Sequence, residues 1–429
     1  MAITRCVMLI MILSVLECCK GIQVQPEQIH LSATERIDEM MVTWSTFNDT
    51  EESLVKFGNN LTLSMVAKGT STKFIDGGSE KRAQFIHRVK LSGLKPAEIY
   101  YYHCGSAEGW SPLFIFQTFP SGTEWSPRFA VYGDMGNENA QSLSRLQEDV
   151  QQGMYHSILH VGDFAYDMEN DNARVGDKFM RQIESIAAYL PYMTATGNHE
   201  YAYNFSNYKN RFTMPNFKET ANLWYSWDVG PAHIISFSTE VYFFVYYGLF
   251  LINHQLEWLK QDLEAASKNR AERPWIITMG HRPMYCSNTD DDDCTKANGG
   301  FSLIGYELEE LFYNYGVDVE LWAHEHTYER LLPVYKGKVM SGSADAPYTN
   351  PKAPVHIITG SAGCKERHDP FTPTPAPWDG FRSQDYGYTR MTITNRTHLY
   401  LEQVSDDKNG KIIDDIWIIK EKHGPEAWN

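Results

Sequence analysis

Short apolar segments separated by turn residues dominate the chain up to about residue 120. Apolar and polar residues alternate in several of them, which predicts β-strands with one buried face. No helical periodicity is apparent between these segments. An apolar turn at residues 91–97 precedes an aromatic-rich strand, as in a fibronectin type III-like sandwich. The predicted strands are Gln28–Leu31, Met40–Thr46, Leu54–Phe57, His87–Leu91, Glu98–Gly105 and Leu113–Thr118.

Beyond Arg128, apolar strands alternate with helical stretches, which predicts an α/β layer architecture. Arg174–Leu190 and Asn253–Ala266 have the periodicity of helices, and the second places its leucines on one face. Strands return after Pro354. They are predicted at Val355–Thr359, Tyr388–Thr394, Leu399–Val404 and Ile412–Lys420.

The first 21 residues have the pattern of an export signal. Arg5 precedes the apolar run Cys6–Leu16, and the small residues Cys19 and Gly21 follow it. The run is shorter than the roughly 20 residues of a membrane span, and no later segment is long and apolar enough to be one. The alternative is a buried N-terminal helix. We therefore expect a secreted, extracellular protein, with the lysosome as the alternative location.

Residues 120–127 combine proline, glycine and serine, which marks a linker. We predict a signal peptide at residues 1–21, a sandwich domain at residues 22–122 and an α/β domain at residues 126–429. The last part of the α/β domain, from about residue 340 to residue 429, is rich in predicted strands.

The chain of 429 residues carries a formal net charge of −16, and no basic cluster stands out. A negative field does not attract nucleic acid, so a nucleic-acid partner is not expected. An anionic substrate would have to be drawn by a local positive centre, such as bound metal ions. With 42% hydrophobic residues the chain can bury a full-sized core. Nothing in the pattern predicts an oligomeric state.

Export would change the chemistry of cysteine and asparagine side chains. Three of the seven cysteines lie in the signal, and the remaining four allow three pairings. We expect Cys286 and Cys294 to form a local disulfide; the alternative is buried free thiols. Four N-x-Ser/Thr triplets would meet the glycosylation machinery, at Asn48, Asn60, Asn204 and Asn395.

Five predicted strands end at a side chain that can bind a metal ion. Glycine stands immediately before that side chain in four of them. A strand that enters a tight loop through glycine delivers its next side chain to the carboxyl edge of the sheet, so these side chains converge. One such residue alone would indicate an ordinary turn or a structural histidine, but five in order favour a metal site. They are Asp134, Asp163, Asn198, His281 and His324, the last followed by His326.

The residue types favour metal ions over an organic catalytic triad. Carboxylates, an amide and the phenol of Tyr166 are hard oxygen ligands, while imidazoles suit iron, zinc and manganese. Asp163 can bridge two ions through its two oxygens, and ions about 3.5–4 Å apart can clamp a phosphoryl displacement. Neither a G-x-S-x-G elbow nor a P-loop is present. The sequence therefore predicts a two-metal site that hydrolyses phosphate esters.

These blocks resemble those of the purple acid phosphatases, a family of metallophosphoesterases, over nearly the whole mature chain. The resemblance implies that an N-terminal all-β fibronectin type III-like sandwich precedes an α/β metallophosphoesterase domain with four layers, α/β/β/α. The blocks read Gly133-Asp-Met-Gly136, Gly162-Asp-Phe-Ala-Tyr166, Gly197-Asn-His-Glu200, Met279-Gly-His281 and Ala323-His-Glu-His326.

The resemblance also implies roles for individual side chains. A ferric ion would be held by Asp134, Asp163, Tyr166 and His326. A divalent zinc, iron or manganese ion would be held by Asp163, Asn198, His281 and His324, with Asp163 as the bridge. His199 would contact phosphate and act as general acid, and Glu200 would either orient it or be an ordinary surface residue.

One departure from the family pattern leaves the substrate open. Other members carry a further histidine in the loop after the divalent-site ligand, whereas here that loop has none. Arg282, Tyr285 or Asn288 are candidates to replace it, and the loop also contains the acidic run Asp290–Asp293. His368, in a Gly-rich loop, is a further candidate for contact with substrate.

The expected function is hydrolysis of a small phosphate monoester at acidic pH, by attack of a metal-bound hydroxide at an Fe(III)–M(II) centre. The alternative within the same chemistry is a phosphodiesterase or nucleotide pyrophosphatase. An alternative of another class is a glycosylated binding module whose catalytic domain is vestigial.

Overall fold

The computed structural model describes residues 23–289, 294 and 305–428, of which residues 305–307 are described by their backbone. The predicted signal peptide and the acidic run Asp290–Asp293 lie outside the described residues.

The N-terminal part is a sandwich of two antiparallel sheets, ordered β1-β2-β6-β5 and β4-β3-β7-β8, with β9 paired to β7. Buried and exposed side chains alternate along β9, which explains why it forms a strand: Phe114 and Phe116 point into the core while Ile115 is exposed. The strands are β1 (Glu27–Ser32), β2 (Glu39–Thr46), β3 (Leu54–Gly58), β4 (Met65–Lys68), β5 (Thr70–Ile75), β6 (Ala83–Ser92), β7 (Ile99–Ser106), β8 (Gly109–Trp110) and β9 (Phe114–Gln117).

The second part of the chain is α/β. Its strands are β10 (Arg128–Tyr132), β11 (Ser157–Val161), β12 (Tyr192–Ala195), β13 (Tyr225–Val229), β14 (Ala232–Ser236), β15 (Trp275–Met279), β16 (Val319–Trp322), β17 (Tyr328–Leu331), β18 (Val334–Tyr335), β19 (Lys338–Val339), β20 (Val355–Thr359), β21 (Asp379–Ser383), β22 (Gly387–Ile393), β23 (His398–Ser405) and β24 (Lys411–Ile419).

The helices of this part alternate with its first strands. The α-helices are α1 (Leu143–Gln151), α2 (Asn170–Ala187), α3 (Ala202–Arg211), α4 (Phe217–Thr220), α5 (Phe250–Lys268) and α6 (Gly305–Tyr315). Short 3₁₀ helices cover Asn198–Glu200, Glu240–Tyr242, Val245–Tyr247 and Pro425–Trp428. Among the described residues, none of the helices has the length and apolar character needed to cross a bilayer.

Two sheets form the centre of this domain. One has the order β12-β11-β10-β22-β23-β24, and the other has the order β13-β14-β15-β16-β20-β17-β21. Strands β10 to β12 run parallel, as do β14, β15, β16 and β20, so in each sheet the carboxyl ends of these strands share one edge. Helices α1 and α2 pack together, as do α5 and α6. The predicted sandwich followed by an α/β/β/α domain is confirmed.

The sandwich is fixed to the α/β domain by buried polar contacts. Asp177 of α2 accepts hydrogen bonds from Arg82 Nη2 at 2.6 Å and Gln84 Nε2 at 3.2 Å, both from the sandwich. Arg211 Nη2 of α3 lies 2.9 Å from the same carboxylate, and its Nη1 donates to Gln28 Oε1 at 3.1 Å. These contacts pair the charges of Asp177, Arg82 and Arg211 across the junction, which stabilises the packing of the sandwich on the α/β domain.

A buried ionic cluster ties the last strand to the second sheet. Asp318, at the start of β16, is fully buried and accepts hydrogen bonds from Arg270 Nη1 at 2.6 Å and from the Ile276 amide at 2.9 Å. His423 Nδ1 lies 3.0 Å from the same carboxylate, and the buried Lys420 ammonium also donates to it. Burial alone would raise the pKa of Asp318, but these cations hold it well below its usual value.

His233 on β14 links two neighbouring elements and gives stability a dependence on pH. Its Nδ1 lies 2.8 Å from Asp228 of β13, and its Nε2 lies 2.9 Å from Asp262 of α5. Burial opposes protonation, but the two carboxylates raise the pKa of His233 from 6.5 to about 9. Its contribution to the free energy of unfolding is therefore complete below about pH 6.5 and is lost as pH rises through 9.

We predict that His233→Gln lowers the free energy of unfolding by about 2 kcal/mol at pH 6 and by much less at pH 10. Chemical denaturation of both proteins at a series of pH values measures this difference. A destabilisation that does not change with pH would contradict the role of the charge and leave only a packing role.

Candidate metal centre

The two sheets bring the predicted metal-binding side chains to one place. Strands β10, β11 and β12 deliver Asp134, Asp163 and Asn198 from the first sheet. Strands β15 and β16 deliver His281 and, through a short turn, His324 and His326 from the second sheet. All of them follow the carboxyl ends of parallel strands, which is where α/β proteins place their ligands.

The loops that carry these side chains have unusual backbone geometry. Asp134, Asp163, Tyr166 and His324 have φ values of 58°, 51°, 56° and 71°, in the left-handed region that L-residues rarely adopt. Such conformations cluster at functional sites, where the surrounding structure must hold them.

Close packing explains why glycine stands immediately before Asp163 and Asn198. A Cβ on Gly162 would lie 2.4 Å from His281 Nδ1, and Gly162 itself has a φ of 88°. A Cβ on Gly197 would lie 2.1 Å from Asp163 Oδ1. A larger residue at either position would push a metal-binding side chain aside. The Gly-Asp and Gly-Asn pairs in the sequence thus reflect the convergence of separate loops.

One group of donor atoms surrounds the phenol of Tyr166. Its hydroxyl lies 2.6 Å from His326 Nε2 and donates to Asp134 Oδ1 at 3.2 Å. His326 Nε2 lies 3.6 Å from that same carboxylate oxygen. All three side chains are buried.

A second group surrounds His281. Its Nε2 lies 3.1 Å from both Asp163 Oδ2 and Asn198 Oδ1. One donor atom each of Asp163, His281 and His324 lies within 4.8 Å of the others. Metal–ligand bonds of about 2.0–2.2 Å place neighbouring donors around one ion about 3 Å apart, which the two separations of 3.1 Å match. The residues therefore fit the metal ions that their chemistry implies.

Hydrogen bonds fix which imidazole nitrogen faces each donor group. His281 Nδ1 lies 2.8 Å from the Val161 carbonyl, and His326 Nδ1 lies 3.0 Å from the Arg367 carbonyl. A backbone carbonyl can only accept, so in each ring Nδ1 carries the proton and Nε2 keeps a lone pair for a metal ion.

Arg282 supports the third imidazole. Its Nη1 lies 3.1 Å from His324 Nε2, and this contact positions the ring. Glu240 holds Arg282 through Nε at 3.1 Å. Both side chains are buried, and sequence analysis had given neither of them this role.

The pKa values of the buried acidic donor groups differ strongly from their usual values. Burial, together with the nearby Asp163 charge, raises the pKa of Asp134 well above its usual value. Burial alone would also raise the pKa of Asp163, but the imidazoles of His281 and His199 hold it far below its usual range. Burial and the two carboxylates raise the pKa of Tyr166. Bound cations would relieve this concentration of buried acidic groups.

His199 lies beside the second donor group. Its Nδ1 contacts Asp167 Oδ1 at 2.7 Å, and its Nε2 lies 4.0 Å from Asp163 Oδ2 and 3.8 Å from Glu366 Oε1. Burial would lower the pKa of His199, but the Asp163 charge and the Asp167 hydrogen bond raise it to about 9. Asp167, one residue after Tyr166, was not singled out from the sequence; its position directly after a ligand was the available signal.

Glu200 neither orients His199 nor lies on the surface, so both expectations for it are wrong. Its buried carboxylate accepts hydrogen bonds from the amides of Asp163 and Gly197 at 2.9 Å each and from the Phe164 amide at 3.0 Å. The bonds from Asp163 and Phe164 join the loop after β11 to the loop after β12, and the bond from Gly197 braces the second loop itself. Glu200 thus holds the Asp163 and Asn198 side chains in register.

The candidates for the missing loop histidine have structural contacts. Tyr285 donates to Glu309, away from the donor groups, and packs on Trp378. Asn288 Nδ2 is 3.3 Å from the Asp369 carbonyl, and its side chain is buried. His368 Nδ1 lies 3.0 Å from the backbone carbonyl of His326. The loop that contains His368 therefore packs directly against the Tyr166 side of the centre.

The remaining predicted positions are all among the described residues. Cys286 and Cys294 form a disulfide, as predicted, whereas Cys104 and Cys364 are free and buried in different domains. Of the four predicted glycosylation positions, three are exposed: Asn60, Asn204 and Asn395. Asn48 is partly exposed.

Comparison with known families decides the relationship of the chain. Residues 127–328 match the family model of the calcineurin-like phosphoesterases. Residues 26–118 match the N-terminal domain of purple acid phosphatases, and residues 353–415 match the model described as iron/zinc purple acid phosphatase-like protein C. The chain belongs to the purple acid phosphatase family. The resemblance seen in the sequence motifs is thereby confirmed.

Individual purple acid phosphatases match over most of the chain. Acid phosphatase type 7 from Danio rerio is 60% identical over 416 residues, which cover 94% of this chain and 93% of that protein. Acid phosphatase type 7 from Homo sapiens is 57% identical over 405 residues, covering 93% and 92%. The structure is similar to that of purple acid phosphatase PPD1 from yellow lupin seeds, with a TM-score of 0.77, 25% identity and coverage of 92% of this chain and 74% of that one.

Membership of this family makes the chain a phosphatase that hydrolyses phosphate monoesters at a dinuclear metal centre containing iron. The two donor groups described above are the place in the fold where such a centre fits.

Proposed function

We propose that this purple acid phosphatase is a secreted acid phosphomonoesterase with a mixed-metal centre. Ferric iron is assigned to the group around Tyr166, and divalent zinc, iron or manganese to the group around His281. The observation that carries the assignment is the separation of one phenol-containing donor set from one without a phenol. The charge of Asp163 acts on Asp134 and Tyr166 of the first set, and its carboxylate contacts His281 of the second. A phenolate is a hard, anionic ligand suited to a trivalent ion. The proposed ferric ligands are Asp134, Asp163, Tyr166 and His326, and the proposed divalent ligands are Asp163, Asn198, His281 and His324.

The protein contributes orientation and proton transfer. When bound, the two ions supply Lewis acidity that activates water and offsets the charge on the phosphoryl group. Glu200 keeps the two ligand loops in register, and the Glu240–Arg282 pair keeps His324 in place. His199 is assigned the transfer of a proton from Nε2 to the departing alkoxide, because Asp167 already fixes its Nδ1.

The proposed location outside the cell is supported by three features. The first 21 residues have the pattern of a signal peptide. The Cys286–Cys294 disulfide suits an oxidising compartment. The side chains of Asn60, Asn204 and Asn395 are exposed for glycosylation. Export, with lysosomal delivery as the alternative, is tested by locating the full chain in transfected cells and by treatment with an N-glycosidase.

A visible absorption spectrum tests the ferric assignment. A phenolate bound to Fe(III) gives a charge-transfer band, so the purified protein should be coloured and contain about one iron and one further metal per chain. We predict that Tyr166→Phe loses this band while the protein stays folded. Tyr203→Phe, which changes an exposed tyrosine, is the matched control. A colourless wild-type protein loaded with iron would contradict the assignment.

Paired substrates test the reaction class. We expect hydrolysis of 4-nitrophenyl phosphate at acidic pH to exceed that of bis(4-nitrophenyl) phosphate by at least about tenfold in kcat/KM. Preference for the diester would favour the phosphodiesterase alternative. Activity no greater than that of Asp163→Asn would favour the binding-module alternative.

Asp167 has a predicted positioning effect on His199. We predict that Asp167→Asn lowers kcat about tenfold with KM within about twofold, since it loosens the proton donor without removing a proposed metal ligand. Steady-state kinetics at the pH optimum measures both constants, and Asp345→Asn on the exposed surface is the control. An unchanged kcat would show that His199 does not depend on Asp167.

A further inference from the structure

An uncharged aromatic segment adjoins the metal centre on the side of His324. Residues 241–253 contain no Asp, Glu, Lys or Arg. They form the end of one 3₁₀ helix, a second 3₁₀ helix and the start of α5. Four large apolar side chains within six residues are exposed here: Tyr246 and Leu249 at 66% each, Phe250 at 55% and Val245 at 41%. A concentration of exposed apolar side chains of this kind usually marks a binding surface.

The exposed rings are ordered by contacts with one another. Tyr201 stacks on Phe244 with ring centroids 4.8 Å apart and planes inclined by 11°. Tyr246 meets the edge of Phe244 at 6.0 Å and lies 4.4 Å from Tyr247. We call this surface the aromatic shelf; it comprises Tyr201, Phe244, Tyr246, Tyr247, Leu249 and Phe250.

Two connections, one along the chain and one through packing, place the shelf next to the metal centre. Tyr201 follows Glu200 and stands two residues after His199, the proposed proton donor. Phe243, the neighbour of Phe244, has the guanidinium of Arg282 4.3 Å from its ring centroid. Arg282 in turn contacts His324 at 3.1 Å. Phe243, which adjoins the shelf, is thus separated from the proposed divalent ligand His324 by one side chain, that of Arg282.

The loop that contacts His199 and Asp167 has different chemistry. There, Lys365 lies 3.5 Å from Asp167, and Glu366 lies 3.8 Å from His199. Both side chains are exposed, as is that of the following Arg367. A phosphate ester bound at the centre therefore has two kinds of neighbouring surface, the charged residues 365–367 and the aromatic shelf. Of these two described surfaces, the shelf is the one on which an apolar organic group gains surface burial.

We propose that the aromatic shelf binds the organic part of the substrate, so that the enzyme prefers phosphate monoesters of aromatic or extended apolar alcohols to those of small polar alcohols. This inference rests on the proposed function and names its substrate class. Stacked rings with exposed faces accept flat or chain-like apolar groups, which the quadrupoles and area of the aromatic side chains favour. The absence of charged residues from residues 241–253 gives a polar alcohol no ionic partner on the shelf.

Two esters of primary alcohols test the proposal in the metal-loaded full chain. 4-Phenylbutyl phosphate and 2-hydroxyethyl phosphate both release a primary alkoxide, so their difference reports binding of the organic group. We expect kcat/KM to be at least about tenfold higher for the phenylbutyl ester, the effect of burying about 55 Å² of apolar surface. The gain should appear mainly as a lower KM.

Paired variants test whether the preference for the phenylbutyl ester depends on the shelf. Tyr246→Ser with Leu249→Ser removes two exposed side chains of the shelf and should reduce the preference to about twofold, with kcat/KM for the hydroxyethyl ester unchanged. Leu61→Ser with Val66→Ser is the matched control, because both side chains are exposed on the sandwich, at 70% and 60%. This control should keep the full preference.

Each other outcome has a definite meaning. An equal rate for both esters, or a preference that survives in the shelf variant, overturns the proposal but leaves the phosphatase function intact. If the wild type hydrolyses no monoester at all, the proposed function itself is overturned, and this inference with it. Sedimentation with phosphatidylcholine vesicles that is lost in the shelf variant, with unchanged ester preference, would assign the shelf to a lipid surface and overturn the proposal.

Discussion

Replacing Asp163 with asparagine is expected to reduce phosphatase activity by at least about a thousandfold, equivalent to about 4 kcal/mol in the barrier. Asp163 is the proposed bridging carboxylate, and its Oδ2 lies 3.1 Å from His281 Nε2. An amide keeps one oxygen but loses the negative charge and the second anionic donor. The variant should therefore retain at most one tightly bound metal ion per chain.

The fold should survive this change, which makes the result interpretable. Asparagine tolerates the left-handed backbone at position 163, where φ is 51°. Its carbonyl can still accept the hydrogen bond from the His199 amide, which is 2.9 Å long in the native protein. Metal analysis and kcat/KM with a monoester measure the two effects, and Asp345→Asn is the surface control. A variant with two metal ions and more than a tenth of native activity would contradict the bridging role.

Replacing Asp318 with asparagine is expected to lower the free energy of unfolding by about 3–5 kcal/mol, because it leaves the buried Lys420 ammonium without its counter-charge. The same change also removes the anionic partner of Arg270 and His423. This cluster lies between the start of β16 and the end of β24, so its loss should loosen the C-terminal strand from the second sheet.

The midpoints of denaturant-induced unfolding of wild type and variant measure this loss of stability. Glu264→Gln, which breaks the exposed pair between Glu264 and Lys268, is the control and should cost about 0.5 kcal/mol or less. Adding Lys420→Met to Asp318→Asn should recover part of the stability, since it removes the unpaired charge. A double variant no more stable than Asp318→Asn alone would indicate that the cost lies in packing.

Much of the centre was predictable because its pattern is local. Asp134, Asp163, Asn198 and His281 each follow an apolar strand and a glycine, and the structure shows that steric contact at Gly162 and Gly197 requires that glycine. The spacing of Tyr166 from Asp163 is local as well.

The supporting residues were missed because their partners are distant in sequence. Glu240 meets Arg282 across 42 residues. Arg367 meets His326 across 41 residues. Glu200 was noticed, but nothing in its neighbours indicates that its carboxylate would bind amides of the loop after β11. Such contacts depend on the packing of loops from two sheets, which hydrophobic periodicity does not encode.

The fold was predictable where burial imposes a pattern. Strands such as β2 and β7 are buried along most of their length and match their predicted positions closely. The edge strands β4 and β5 were missed, because most of their side chains are exposed and their sequences alternate weakly. Helix α2 includes left-handed residues at 171–173, so its regular part begins where periodicity placed it, at Arg174.

The division of the donor side chains between two sheets couples metal affinity to the packing of the domain. Three strands of one sheet and two of the other must keep their ends aligned for a metal ion to be bound on both sides. By thermodynamic linkage, metal binding then stabilises the packing of the two sheets, and weaker packing of the sheets lowers the affinity for metal. A core substitution far from the centre that shifts one sheet against the other would register first as a weaker affinity for metal, before any loss of secondary structure.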